Sequence, residues 1–152
     1  RQGPTVTRTS WPRNTYSSSD VCRLAGITTR QLDYWCRNHL VWPSVADANG
    51  CGSRRRFSSD DVLLSRLLGL CRVILHTLND LRPVADGWRA GDFKGKEFLV
   101  ITDGYPSGVT ALELSEYLTD EGARMCSLVV LSQPWLTDID AAPPALPRLL
   151  VN

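Results

Sequence analysis

Lysine and glutamate are both missing from the first 57 residues. That stretch holds nine Arg and three Asp, a balance of 9 − 3 = +6. Residues 58–152 hold eight Lys and Arg against thirteen Asp and Glu, 8 − 13 = −5, so a formal net charge of +1 conceals a basic front and an acidic back. Such a front suits a polyanionic partner. The five cysteines, Cys22, Cys36, Cys51, Cys71 and Cys126, contain no CxxC pair and are odd in number. Neither a disulfide framework nor a zinc site is expected from them. Cys71 and Cys126 read as core residues, and Cys51, in a turn, as the exposed one. No apolar run approaches the ~20 residues that span a bilayer, and no signal peptide is recognisable. A reducing cytoplasm is the expected setting, with no membrane partner.

Catalytic constellations are also lacking. Only His39 and His76 represent histidine. His39 falls at a helix end, where a C-cap or a phosphate contact is expected, and His76 adjoins a helix cap. No glycine-rich phosphate loop follows a strand, because Asp103-Gly104 and Gly108 lack the dinucleotide spacing. Glu113 and Glu116 share a helix without an identifiable partner and read as a cap and a solvated face. An enzyme is not expected, and neither is a cofactor or a metal.

What is present is enough for a core: 43% hydrophobic and 22% charged residues. Residues 1–15 carry Gly3, Pro4, Pro12 and several Thr and Arg without periodicity, and read as a flexible basic lead. Ser18 or Ser19 then precedes Asp20 and the short apolar pattern Val21, Leu24 and Ala25, a capped helix that Gly26 ends. Ile27 plugs the turn. Thr28 caps a second helix over Thr29–Arg37, with Leu32, Trp35 and Cys36 at i, i+3 and i+4 as its core stripe. Arg30, Gln31, Asp33, Tyr34 and Arg37 are left on other faces. Two short helices around a tight glycine turn predict a helix-turn-helix, whose second helix offers its N-terminal Thr, Arg and Gln to a major groove. Arg30 suits guanine and Gln31 suits adenine.

Residues 40–46 are extended, since Val41 and Val45 are β-branched and Pro43 excludes helix. Asn49-Gly50 is a strong hairpin signal, and Gly52 adds flexibility before Arg54, Arg55, Arg56 and Phe57 return. A hairpin with arginines on its returning arm is a wing, suited to the phosphate backbone or the minor groove.

At this point the chain resembles a known family. Tyr16-Ser17, Asp20-Val21-Cys22, Leu24-Ala25-Gly26-Ile27-Thr28, Arg30-Gln31-Leu32, Tyr34-Trp35, Leu40-Val41, Pro43 and Arg55-Arg56-Phe57-Ser58 fall at the spacings of the MerR-type winged helix-turn-helix. RQLDYW, followed by LVWPSV and GCGS, looks most like an actinobacterial subgroup. The resemblance covers about residues 16–90 and is strongest over 16–62. It implies a homodimeric transcription factor that binds double-stranded DNA at a palindromic promoter element, often bending and untwisting it, with RNA polymerase as a candidate further partner. Whether a small-molecule effector exists is left open. The implied DNA-contacting set is Ser17, Thr28, Thr29, Arg30, Gln31, Tyr34, Arg37, Arg54, Arg55 and Arg56. One departure stands out. Many MerR proteins place a phosphate-binding arginine where this chain has Asp33. Asp33 is expected instead to orient Arg37 at i+4.

Downstream, Ser58 or Ser59 caps a helix with Asp60 and Asp61 in its first turn. Val62, Leu63, Leu64, Leu67, Leu68, Cys71 and Ile74 form its wide apolar stripe. Thr77 caps a further helix that Pro83 should kink or break. Gly87, Gly91 and Gly95 interrupt any heptad, so the family's long dimerising coiled coil is not expected here. Residues 87–97 read as a linker. Residues 98–102 read as a strand ended by Asp103-Gly104 and Pro106-Ser107-Gly108. Thr110 to Glu113 is a capping box opening a helix to about Thr119, and residues 127–132 are a second buried strand. A short helix is read over residues 135–139.

The expected fold is α+β, a MerR-like winged helix-turn-helix domain followed by a small α/β domain. The expected divisions are a lead at 1–15, the DNA-binding domain at 16–86, a linker at 87–97, a β-α-β domain for dimerisation or effector binding at 98–140, and a Pro-rich tail at 141–152. Two other readings are an excisionase-like or architectural DNA-binding protein, and a protein-interaction module on the same fold.

Overall fold

The computed structural model describes residues 13–46, 54–119 and 126–144. The lead through residue 12, the Asn49-Gly50 turn with Cys51 and Gly52, and the tail from residue 145 lie outside the described residues.

Local chemistry sets the helix starts. Helix α1 spans Ser18–Ala25, and its cap is Ser17, earlier than expected. Asp20 explains the choice: as the third helical residue it accepts from the Ser17 N–H at 3.0 Å while its own N–H donates to the Ser17 hydroxyl at 3.2 Å. That reciprocal box satisfies two backbone donors at once. Gly26 ends α1 in the left-handed region at φ +68°. Ile27 is buried behind it. Helix α2 spans Thr29–Arg37 and is capped by the Thr28 hydroxyl. Helix α3 spans Ser59–Cys71 with a second capping box, Ser58 with Asp61.

Helix α3 is the centre of the molecule, and its burial goes beyond one stripe. Val62, Leu64, Leu67, Leu68 and Cys71 are buried, and so are Ser65 and Arg66. Helix α1 packs on one side and the later elements on the others. Leu63 is only half-buried, and Ile74 falls in the turn beyond the helix.

Arg66 is 1% exposed and has no carboxylate on it among the described residues. Its guanidinium donates to four carbonyls: Leu24 at 2.9 Å, Trp135 at 3.1 Å, Asp138 at 3.0 Å and Ile139 at 2.8 Å. It also lies 3.7 Å over the Trp135 ring. A buried guanidinium is tolerable only when its donors are met, and here backbone dipoles and an aromatic face meet them. Burial pushes its pKa down, and Asp138 and Asp140 oppose the shift. One side chain therefore ties the end of α1 to the C-terminal segment.

Helix α4 spans Leu78–Ala90, capped by Thr77. Pro83 sits inside it, yet the helix does not break. Leu81, on one side of the proline, and Val84 and Ala85, on the other, are all buried. Their burial outweighs the one backbone hydrogen bond a proline removes. The helix also enters the stretch 87–97. Gly87 is buried there because the tip of the Phe93 ring abuts it: an ideal Cβ would sit 2.6 Å from Cζ. Gly108 lies against another edge of the same ring, with its Cβ position 3.0 Å from Phe93 Cδ1. These two glycines form a slot for an aromatic plug.

Strand β1 spans Phe98–Thr102, β2 Tyr105–Val109 and β3 Ser127–Val130. They form an antiparallel sheet in the order β2-β1-β3. Strand β2 was not expected. Asp103-Gly104 does end β1, but both residues have positive φ, +50° and +80°, the geometry of a two-residue hairpin turn. Pro106 is tolerated because β2 is an edge strand. Helix α5 spans Ala111–Thr119 after the expected Thr110–Glu113 box. Strand β3 is shorter than expected and half-buried: Val129 faces inward, while Leu128 and Val130 are exposed. Helix α6, Pro134–Thr137, buries Trp135 and Leu136 beside Arg66.

Candidate nucleic-acid interface

Leu32 and Trp35 bury one side of α2. Thr29, Arg30, Tyr34 and Arg37 are exposed on the other, at i, i+1, i+5 and i+8. Tyr34 is 52% exposed. Thr28 is exposed as well, but its hydroxyl is engaged by the Gln31 N–H at 3.1 Å. The Ser17 hydroxyl is likewise committed to Asp20. Gln31 is half-buried, and its side-chain nitrogen is enclosed without a hydrogen-bond partner among the described residues. It shares a groove of about 440 Å³ with Arg30, Tyr34, Arg72 and His76, among others. His76 thus lies beside the helix face.

The wing's base is built by backbone pairing and one carboxylate. Phe57 exchanges two hydrogen bonds of 2.9 Å with Tyr16, and Arg56 pairs with Ala46. Asp61 accepts from the Ser44 N–H at 3.0 Å and the Ser44 hydroxyl at 2.6 Å, in addition to the Ser58 N–H at 2.8 Å. A helix cap therefore also fixes where the outgoing arm leaves α2. Of the three arginines, Arg54 is exposed and Arg55 and Arg56 are half-buried.

Asp33 joins helix and wing. One carboxylate oxygen lies 2.7 Å from Arg37 and the other 3.0 Å from Arg55. The expected i+4 pair is present, and the second partner comes from 22 residues away. The carboxylate aligns two guanidinium groups from separate elements along one edge. Arg37 keeps 72% of its side chain exposed.

Sequence reasoning missed three contributors. Trp42 is half-exposed in the outgoing arm, with its ring 5.1 Å from His39. Arg82 donates to the Asn38 carbonyl at 3.1 Å. Arg89 donates to the carbonyls of His39, at 3.1 Å, and of Leu40, and its guanidinium lies 5.6 Å from the Trp42 ring. Unpaired carbonyls at a helix C-terminus attract cations. Arg82 and Arg89, two turns apart on α4, hold the exit of α2, and His39 takes the left-handed turn there at φ +57°. Their seven-residue spacing was the available signal, but it points nowhere until α4 is known to cross that end. Among the described residues, no cluster of His, Cys, Asp or Glu suits a metal ion, and no helix is long and apolar enough to cross a membrane.

The family model described as "MerR HTH family regulatory protein" matches residues 16–72. Over 98 residues the chain is 35% identical to uncharacterized HTH-type transcriptional regulators of Mycobacterium tuberculosis and Mycobacterium bovis. The match covers 64% of this chain and 42% of each relative, so the chain spans less than half the length of the curated relatives it matches. Residues 16–72, which hold α1, α2, the wing's described arms and α3, form a helix-turn-helix domain that matches the MerR family model.

Proposed function

We propose that this protein is a sequence-specific DNA-binding transcriptional regulator, acting as a homodimer on a palindromic element. The observation that carries the reading is the Arg37–Asp33–Arg55 bridge, which sets the exposed face of α2 and the returning wing arm side by side. In this reading α2 enters the major groove. Arg30 and Thr29 approach base edges there, with Gln31 at the groove's edge behind them. Tyr34, Arg37, Arg54, Arg55 and Arg56 lie along phosphates. Ser17 and Thr28 present capped helix N-termini, whose backbone N–H groups favour phosphate. RNA polymerase is the natural further partner of such a regulator.

Selection from a random duplex library with the full chain at about 150 mM salt tests this. Recovery of inverted half-sites roughly one turn, ~34 Å, apart supports the reading. Recovery of no sequence preference contradicts it, and retention of no DNA would instead favour an interaction module on this fold.

A further inference from the structure

A cavity of about 530 Å³ lies where α3, α4, β3 and α6 meet. Its size falls within the range of small-molecule sites. Trp88, Phe93, Leu131 and Leu136 form its apolar walls. The Trp88 ring is fixed, because its indole N–H donates to Asp60 at 3.1 Å. Phe93 is closely packed, its ring tip against Gly87 and its Cδ1 against Gly108. Two rigid aromatic walls favour a flat ring over a flexible chain.

The rim carries three cations with different commitments. Lys96 pairs with Glu113 at 3.1 Å. Arg89 donates to the carbonyls at the exit of α2. Lys94 has no acidic partner among the described residues. The lining also holds two carboxylates, Asp60, which accepts from the indole, and Glu97, which accepts from the Ala111 N–H at 3.3 Å, so the cations Arg89, Lys94 and Lys96 outnumber the acids by one. A lining that joins two aromatic side chains to an excess of cations favours an anionic ring.

We propose that this cavity binds a small aromatic carboxylate, with its ring against Trp88 and Phe93 and its carboxylate on Lys94. Arg89 makes the site consequential, because the same side chain lines the cavity and holds the carbonyls of His39 and Leu40. A ligand against Arg89 shifts the segment between the recognition helix and the wing. The site stands on the cavity alone, whereas its effect on DNA rests on the proposed function.

Calorimetry on the full chain with 2-naphthoate, benzoate and neutral 2-naphthamide tests the site. At least one acid binds with one equivalent per chain, and the amide binds at least about tenfold more weakly than naphthoate. Lys94→Ala weakens the acid by a similar factor, and Ser132→Trp, at an exposed position on the cavity's edge, blocks it. Absence of binding by both acids overturns the proposal, as does equal binding by the amide or by Lys94→Ala. In a second arm, the bound acid changes the affinity for a selected DNA fragment by about fivefold or more. Unchanged fragment affinity overturns the coupling through Arg89. If no fragment is bound even without acid, the DNA reading fails, and the calorimetry still decides the site.

Discussion

Asp33 stands between Arg37 at 2.7 Å and Arg55 at 3.0 Å, one carboxylate oxygen to each. The helix that would read DNA and the arm that would grip its backbone are thereby set against each other by a single side chain. The pairs are partly exposed, so their contribution to stability is small, on the order of 0–1 kcal/mol. Their consequence is geometric. Asp33→Ala should leave thermal unfolding almost unchanged. It should steepen the salt dependence of DNA binding by about one phosphate contact and narrow the ratio of specific to non-specific affinity. Fluorescence anisotropy on specific and scrambled duplexes across a salt series reads both. Unchanged slope and ratio would remove Asp33 from the account.

Truncating Arg66 should be costly. Arg66→Ala leaves the carbonyls of Leu24, Trp135, Asp138 and Ile139 without their donor in a buried setting. A loss of about 3 kcal/mol or more is expected. Arg66→Lys keeps the charge but not the planar fork, and should recover only part of it. Urea titration measures each. A loss under about 1 kcal/mol for Arg66→Ala would show that the C-terminal segment is not held this way.

The structure also predicts which thiol stays silent. Burial pushes the Cys71 thiol up to about 12. At pH 8 its thiolate fraction is roughly one in 10⁴. Cys22 and Cys36 are half-buried and more accessible. Mass-spectrometric mapping after brief alkylation should find Cys71 unmodified in the native chain and modified in denaturant. Native labelling of Cys71 at the rate of Cys22 would contradict the packing of α3.

The cap of α1 has a pH signature. The Ser17 N–H, and then its hydroxyl, hold the Asp20 carboxyl below its ordinary value of 3.8. Stability from this group is present above that value and is lost as the pH falls through the lowered folded-state value. Asp20→Asn should therefore lower stability at neutral pH, by about 1 kcal/mol, and less at pH 2–3. Melting curves at the two pH values compare the variant with the parent chain. An equal deficit at both would separate the cap from its charge.

Much of the front half was readable because its signals are local. Thr28 and Thr77 announce their helices by cap chemistry, Gly26 by its left-handed turn, and Leu32 with Trp35 by helical spacing. The Asp33–Arg37 pair follows from i+4 geometry alone. What stayed hidden depends on distant neighbours. Arg66 sits in an apolar stripe, where its charge looks like noise until the segment from α6 onward adds the carbonyls of Trp135, Asp138 and Ile139 to that of Leu24. Gly87 and Gly108 suggest flexibility in sequence, yet they make room for Phe93. Strand β2 was missed because Pro106 and Gly108 are poor strand formers, which only an edge position and a neighbouring aromatic plug excuse. Pro83 breaks a helix in isolation and not in α4, where burial on both sides of it holds the helix together. Arg82 and Arg89 gain meaning only from the end of α2.

The central claim is that α2 reads sequence while the wing grips the backbone. A salt-titrated binding measurement on Arg30→Ala and Arg55→Ala, each against the selected element and a scrambled duplex, tests it most directly. Arg30→Ala should cost about 1–3 kcal/mol on the selected element and little on the scrambled one. Arg55→Ala should weaken both duplexes alike and reduce the salt slope by about one. Binding by both variants that matches the parent chain on both duplexes would contradict the account.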